Sequence, residues 1–578
     1  MSTAAQPTIK LKDKFIIVCL VTLICAGLLV WGNTLRNGFV YDDETFIVAN
    51  PGIRSLTPLT KFLAWETSAG DPQMSKDVWR PLTTFSSALN YQLFELNPAP
   101  YHLVNLVLHI INTLMVFWLV LLMASGIKRK AKEQKRGEGR GAVVVALITA
   151  AIFLLHPVQV ETVAWITQRS NLLFLFFYLL SFILLLKRKM AFSLVAFACS
   201  LLAKEMALSL PLVLLAYFIF IERKKFLPAL YQTLPYFLVL FAFVLARSAA
   251  LGQVAQTGYW AGGFIPQMLT MVKGFAYYVK LMFLPYPLSI EYLFPIKTAV
   301  DLEIIAYALL LSGIIYLAWR ARGQYPLLSF GLFWFFLSLV PVSNILPIRA
   351  LINERFLYPG VIGFGLVVGA AAPLLGARRL KIVMALLMVL TLVYGAVDIY
   401  RNLSWQDNFS CAEENLKTCP QSASLHYGMG RAYAERGMYD RAIGEFLLAL
   451  EIDADTAQAM VAAGIIGEVD PLAVQYRETL QKNVKPFDGL NNLGTTYLKA
   501  GNYRQAALAL ALAVDKWPAG SSDEQELLNV KSNLSVAYAD SGDLGKAIAL
   551  CRELLAQNPG MDKTRRNLEL FTTGVKAH

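Results

Sequence analysis

Directly after its first apolar run the chain carries Tyr41-Asp42-Asp43-Glu44, its densest acidic cluster. Paired carboxylates at a membrane surface can supply a general base with a neighbour that tunes or orients it, or they can ligate a divalent cation. On residue types alone, the plainer account is a solvated helix cap after Gly38. Five cations stand in otherwise apolar surroundings: Arg169 in TQRSN, Lys204 in AKE, Arg247 in LARS, Lys280 in YVKLM and Arg355 in NERFLYP. An isolated charge at a helix end often just snorkels to water. Five on one side can together bind a phosphate, because fixed Arg and Lys groups stabilise the charge that develops when it leaves. Glu205 follows Lys204 and Glu354 precedes Arg355, so each pair also reads as an ion pair that only steadies packing.

His102, Asn105, His109 and Asn112 fall on one helical face, because steps of three and four residues nearly complete a turn. Metal binding by His102 and His109 is conceivable at this spacing, but interhelical hydrogen bonds suit a polar stripe facing a bundle interior better. His156 lies beside another helix end. Cys19, Cys25, Cys199, Cys411, Cys419 and Cys551 show no CxxC spacing, and no metal site is predicted. A helix would hold Cys411 and Cys419 about 12 Å apart, too far to bridge.

Positioning these groups falls to a membrane bundle. The 578 residues are 56% hydrophobic and 16% charged, with a mean hydropathy of +0.50, which excludes an ordinary soluble domain. The net charge of +12 is spread in short clusters between apolar runs, the pattern of topology signals rather than of a nucleic-acid-binding face. Phe15 to Trp31 follows Lys10, Lys12 and Lys14 without a small-residue cleavage site, and reads as an uncleaved signal anchor with a cytoplasmic N-terminus. Further apolar segments near 103–124, 142–155, 171–186, 190–203, 206–221, 233–250, 302–319, 325–342, 356–376 and 380–399 predict about eleven crossings. Basic clusters at Lys128 to Arg140, Lys187-Arg188-Lys189, Arg223-Lys224-Lys225, Arg320/Arg322 and Arg378-Arg379-Lys381 mark alternate loops, all on one side. The segment near 264–284 would break that alternation by crossing, so it is expected to be re-entrant or interfacial. The loop 35–100, which also holds Glu66, Asp71, Asp77, Trp79 and Arg80, then faces outward, and so do the loops that carry the candidate cations.

After Ala423 the pattern becomes alanine-rich helical pairs of tetratricopeptide spacing, in which small residues let two antiparallel helices touch. One unit runs Tyr427, Gly430, Tyr433, Gly437, Tyr439, Ala442, Phe446, Ala449; a second runs Leu493, Gly494, Tyr497, Gly501, Tyr503, Ala506, Ala513, Pro518. A weaker third has Leu534, Tyr538, Gly542, Ala547 and Pro559, a degenerate unit fits near 457–486, and a helix near 562–572 can cap the stack. The expected fold is all-α: a transmembrane bundle over 1–400 and an α-solenoid over 401–578.

The strings GFVYDDETFIVANPGIRSL, WRPLTTFSSALNY, YHLVNLVLHIIN, HPVQVETVAWITQRSNLL, LLAKEMALSLP and NERFLYP resemble, in order, the transmembrane and tetratricopeptide repeat-containing (TMTC) proteins. These are C-type membrane glycosyltransferases whose eukaryotic members are protein O-mannosyltransferases. The resemblance implies inverting transfer of a sugar from a polyprenyl-phosphate donor to a hydroxyl of an exported protein, with the repeats positioning the acceptor. It places Asp42, and failing it Asp43, as the base. Arg169, Lys204 and Arg355 fall on motifs assigned to donor phosphate, with Arg247 and Lys280 beside them, and His102, His156, Glu205 and Glu354 support the site. No cofactor beyond the lipid-linked donor is called for, although the acidic cluster would allow a divalent cation. QRSN replaces the family's glycine–aspartate version of that motif. The few repeats suggest a small or different acceptor range, and the short loops and absence of a eukaryotic-style extension point to a bacterial inner-membrane enzyme with its repeats in the periplasm, whose donor sugar need not be mannose. Competing readings are an oligosaccharide ligase or lipid-glycan modifying enzyme, and a non-enzymatic assembly scaffold.

Overall fold

The computed structural model describes residues 14–69, 78–126, 138–252, 258–259, 261–348, 350–470, 473, 485–518 and 524–573. Among these every regular element is helical. Two compact units result: Met1–Tyr292 with Lys297–Asp407, and Asn408–His578 with Leu293–Ile296.

The first unit contains α1 (Lys14–Trp31), α2 (Trp65–Ala69), α3 (Pro81–Phe94), α4 (Pro98–Gly126), α5 (Glu138–Leu155), α6 (Val160–Ala164), α7 (Arg169–Leu186) and α8 (Met190–Ala203). It continues through α9 (Leu210–Phe220), α10 (Phe226–Leu251), α11 (Phe264–Phe283), α12 (Leu302–Ala321), α13 (Pro326–Ser338), α14 (Gly360–Ala371) and α15 (Gly376–Asn402). Among the described residues six helices are long and apolar enough to cross a membrane: Lys14–Arg36, Pro98–Ser125, Ile166–Leu186, Phe226–Leu251, Leu302–Ala321 and Arg378–Trp405. A seventh span arises if Gly141–Leu155 and Pro157–Ala164, bent by 53°, count as one. Four shorter apolar helices, Met190–Ala203, Glu205–Phe220, Pro326–Val342 and Gly360–Leu375, complete the set.

The bend has a local cause. Pro157 lacks an amide hydrogen and forces His156 into an extended conformation, so α5 stops and α6 starts afresh. α11 differs from the spans: Gln267, Thr270, Gly274 and Tyr278 bury one face at helical spacing while Lys273 pairs with Glu303 at 2.9 Å. That is the amphipathic pattern of a helix laid against protein.

Close helix contact is set by glycine. A Cβ on Gly363 would lie 2.5 Å from the Gly331 carbonyl oxygen and 2.7 Å from the Phe335 nitrogen, so α13 and α14 meet backbone to backbone. On its other side α14 meets α5 the same way, with Gly369 so placed that a Cβ would sit 2.8 Å from the Val145 carbonyl oxygen. Small residues permit such approach where lipid offers no hydrophobic drive between helices.

The second unit is a stack of helical hairpins: Ala423–Glu435 with Tyr439–Glu451, Pro486–Lys499 with Tyr503–Asp515, and Glu524–Asp540 with Leu544–Gln557, followed by Asp562–Thr572. Gly437, Gly501 and Gly542 turn these hairpins at φ of 73°, 79° and 99°, a conformation that side chains resist. Phe446 fills the space beside Gly430, and Leu510 that beside Gly494. Ala454–Ala462 opens the expected degenerate unit, most of whose remainder lies outside the described residues. Cys411 and Cys419 are both buried.

Gly363→Ala is expected to cost about 1–3 kcal/mol by forcing α13 from α14, read as a lower melting temperature in detergent. Gly313→Ala on α12, where an added Cβ meets no atom within 4 Å, should leave it unchanged. Equal behaviour of the two variants would refute backbone contact as the determinant.

Candidate functional site

The acidic motif divides its carboxylates. Tyr41 adopts a left-handed φ of 50°, costly for a side-chain-bearing residue, and after this twist Asp42 is exposed while Asp43 is buried. Asp43 Oδ1 accepts from the Thr167 backbone nitrogen at 2.8 Å and from the Thr167 hydroxyl, and Oδ2 accepts from the Val40 nitrogen at 3.1 Å. Trp165 Nε1 donates to the Val40 carbonyl at 3.1 Å, and its ring meets Tyr41 edge-on. Burial raises the Asp43 carboxyl to about 7, against the pull of the Thr167 and Val40 donors and with a small push from Asp42. Asp43 therefore fastens the loop, and its neighbour Asp42 is the carboxylate presented to solvent.

The next residues along the chain hold the cations. Gln168 Oε1 accepts from Lys204 Nζ at 3.5 Å and from Asn171 Nδ2 at 3.1 Å, while Asn171 Nδ2 also reaches the Arg355 carbonyl at 3.3 Å. Lys204 is only 3% exposed. It terminates α8 in an extended conformation, and among the described residues Gln168 is the one hydrogen-bond partner of its ammonium. Burial lowers its ammonium well below the usual lysine range; Arg80 and Arg355 lower it further, opposed by Glu205 and Glu161. Arg80 binds Glu205 at 2.5 and 3.2 Å, Arg355 pairs with Glu161, and Arg401 binds Glu354 at 2.9 Å. Glu354 also accepts from the Tyr292 hydroxyl at 2.8 Å. Arg247 acts on Glu205 through its charge.

Arg169 is placed differently from the other cations. It is buried, and its guanidinium donates to Asn105 Oδ1 at 3.2 Å, Asn90 Oδ1 at 2.7 Å, the Ser86 carbonyl at 3.3 Å and the Tyr101 carbonyl at 3.0 Å. It ties α3 and α4 to the start of α7 and presents no open face to a ligand. Lys280 donates to the Tyr286 carbonyl and lies over the Tyr277 ring, outside the charges acting on Lys204.

The polar stripe of α4 faces inward as interhelical hydrogen bonds. Asn105 donates to the Trp165 and Ile166 carbonyls, Asn112 to the Leu172 carbonyl at 2.9 Å, and His102 Nε2 lies 3.3 Å from the Gly38 carbonyl. His109 Nε2 donates to the Leu154 carbonyl at 3.2 Å, which leaves Nδ1 to accept from the Tyr358 hydroxyl at 3.0 Å. His156 bonds the Met282 carbonyl at 3.1 Å and packs on Tyr394 and Phe364. Among the described residues no group of three or more His, Cys, Asp or Glu could hold a metal ion. Glu66 opens α2, while Asp71 and Asp77 lie outside the described residues.

Three contributors escape a reading by motif: Glu161, Arg401 and Tyr292. Glu161 had a signal, being the sole acid between Glu138 and Glu205. Arg401 and Tyr292 had none, because only the fold brings them to Glu354.

Residues 491–562 and 423–456 each match the tetratricopeptide repeat family. Over 455 residues the chain is 23% identical to protein O-mannosyl-transferase F38B6.6 of Caenorhabditis elegans, covering 75% of this chain and 62% of that protein. It is 24% identical to human protein O-mannosyl-transferase TMTC3 over 510 residues, 79% of this chain and 53% of that protein. A stretch of 154 residues reaches 36% identity to Drosophila melanogaster Tmtc1, 26% of this chain and 16% of that protein. The chain thus spans about half to three fifths of the length of the first two relatives. A solved chain from the APC/C hetero-tetramer Cut9–Hcn1 aligns over 91% of this chain and 98% of its own at 12% identity, with a TM-score of 0.23, too low to bear on the fold.

Asp43→Asn should destabilise the loop by about 1–3 kcal/mol, because the amide nitrogen would face a backbone donor and leave it unsatisfied. Faster proteolysis between residues 35 and 50, with a lower melting temperature, would report this. Unchanged proteolysis would remove Asp43 as the anchor.

Proposed function

We propose that this chain, a homologue of the TMTC protein O-mannosyltransferases at 23–24% identity over most of its length, is an inverting glycosyltransferase. It moves a sugar from a polyprenyl-phosphate-linked donor to a hydroxyl of an exported protein. The observation that carries this reading is the physical link between the exposed acid and the cations. Asp43 grips Thr167, the next residue Gln168 grips Lys204, and Asn171 reaches the main chain of Arg355. One short segment therefore carries both halves of a group-transfer site.

In this mechanism the Asp42 carboxylate takes the proton of the acceptor hydroxyl as its oxygen attacks the anomeric carbon. The new carbon–oxygen bond forms opposite the bond to phosphate, which breaks with its electron pair going to the phosphate oxygen, and the configuration inverts. Lys204 and Arg355 stabilise the added charge on the leaving polyprenyl phosphate. Arg80 and Arg247 enlarge the positive field, and Arg169 serves by holding α3, α4 and α7 together.

In this reading the six long spans, the bent pair and the four shorter apolar helices each cross once, eleven crossings in all, with Asp42, Lys204 and Arg355 on the outer side of a bacterial inner membrane. The N-terminus is then cytoplasmic and the repeats are periplasmic, where they recruit the protein acceptor.

Thermal stabilisation by a panel of polyprenyl-phosphate sugars, with transfer measured in parallel, tests the assignment. Asp42→Asn should keep donor stabilisation and lose about 100-fold or more of transfer, whereas Lys204→Ala and Arg355→Ala should lose the stabilisation itself. A fully active Asp42→Asn variant would remove that residue as the base. Label recovered in lipid rather than protein would overturn the acceptor class.

A further inference from the structure

Glu161 lies on the five-residue α6 with its side chain 1% exposed, and it holds Arg355 at two points. Oε2 accepts from the Arg355 backbone nitrogen at 2.8 Å, and Oε1 pairs with the guanidinium. Main chain and side chain of one residue are thereby fixed by one carboxylate. The Arg355 side chain is 16% exposed, and its guanidinium carbon lies 5.5 Å from the centre of the Trp165 ring. The anion thus lies behind the cation, and an incoming anion would meet Arg355 first. Glu161 also acts on Lys204, Arg401, Glu354 and Tyr278. The charges that bear on Lys204 are Arg80, Glu205, Arg355 and Glu161, and of these only the two acids oppose the crowding of cations. Glu205 is already engaged by both nitrogens of Arg80.

We propose that Glu161 is a positioning residue for the donor phosphate, clamping Arg355 from behind and offsetting the cations gathered around Lys204. The inference rests on the phosphate role proposed for Lys204 and Arg355. A simple packing pair would not need to seize the Arg355 backbone as well as its side chain, nor to sit within the field of a second cation. Because Glu161 favours the charged form of Lys204, its neutralisation should make Lys204 lose its proton, and the site its anion affinity, at lower pH.

Binding of a short-chain polyprenyl monophosphate to the intact detergent-solubilised protein, measured calorimetrically as a function of pH, tests this. Wild-type affinity should fall as pH rises through the Lys204 titration. In Glu161→Gln the fall should come at lower pH. Glu161→Asp keeps the charge but shortens the clamp, so its midpoint should stay while its Kd rises several-fold. A folded Glu161→Gln variant with the wild-type midpoint overturns the proposal. Should that variant not fold, Glu161→Asp with wild-type Kd overturns it, and a raised Kd at an unchanged midpoint supports it. Wild-type protein that binds no polyprenyl monophosphate at any pH overturns the phosphate role of Lys204 and Arg355 itself, a result distinct from an unaltered midpoint.

Discussion

The segment Thr167–Asn171 is the constraint on which the end of the bundle that carries the candidate site depends. Polar groups buried among apolar helices must find partners within the protein, since neither water nor lipid will supply them. Here four of the segment's five side chains, Ser170 being the exception, each answer a different element: Thr167 the acidic loop, Gln168 the end of α8, Arg169 the pair α3 and α4, and Asn171 the loop that carries Arg355. A shift of this segment would leave donors and acceptors unpaired on four sides at once. Its position is correspondingly over-determined.

Charge is arranged under the same constraint. Burying an ion costs several kcal/mol unless a partner and further hydrogen bonds offset it. Arg80, Arg355 and Arg401 each have a carboxylate, in Glu205, Glu161 and Glu354. Lys204 has an amide instead. A buried ammonium with so slight a partner gains more from an arriving anion than the paired arginines would, which is the physical ground for the proposal that it meets the donor phosphate.

Glycine governs how closely the scaffold beneath these groups can pack. Gly331 and Gly363 bring α13 and α14 into backbone contact, while Gly365 and Gly369 do the same for α14 and α5. Trp334 and Phe182 stack across the adjoining helices, and Tyr358 reaches His109 and Asn112 from just before α14. The loop bearing Glu354 and Arg355 therefore emerges from a closely packed base. In the second unit the same economy of small residues sets Gly430 against Phe446 and Gly494 against Leu510.

Hydrophobic length was enough to locate the apolar helices, six or seven of which, among the described residues, are long enough to cross a membrane where about eleven crossings are expected, and small-residue spacing was enough to locate the repeats, because both patterns reflect periodic burial along one continuous stretch of chain. The polar face of α4 was legible for that reason too. The roles of individual charges were not. Asp42 and Asp43 are indistinguishable as neighbours in sequence, and only the left-handed turn at Tyr41 buries one and exposes the other. Arg169 and Lys204 look alike as lone cations, yet four bonded groups surround the first and a single amide meets the second. Glu161 meets Arg355 across 194 positions of chain. A partner at that separation leaves no local trace, because the desolvation and pairing that decide what a charge can do exist only once distant segments have packed together.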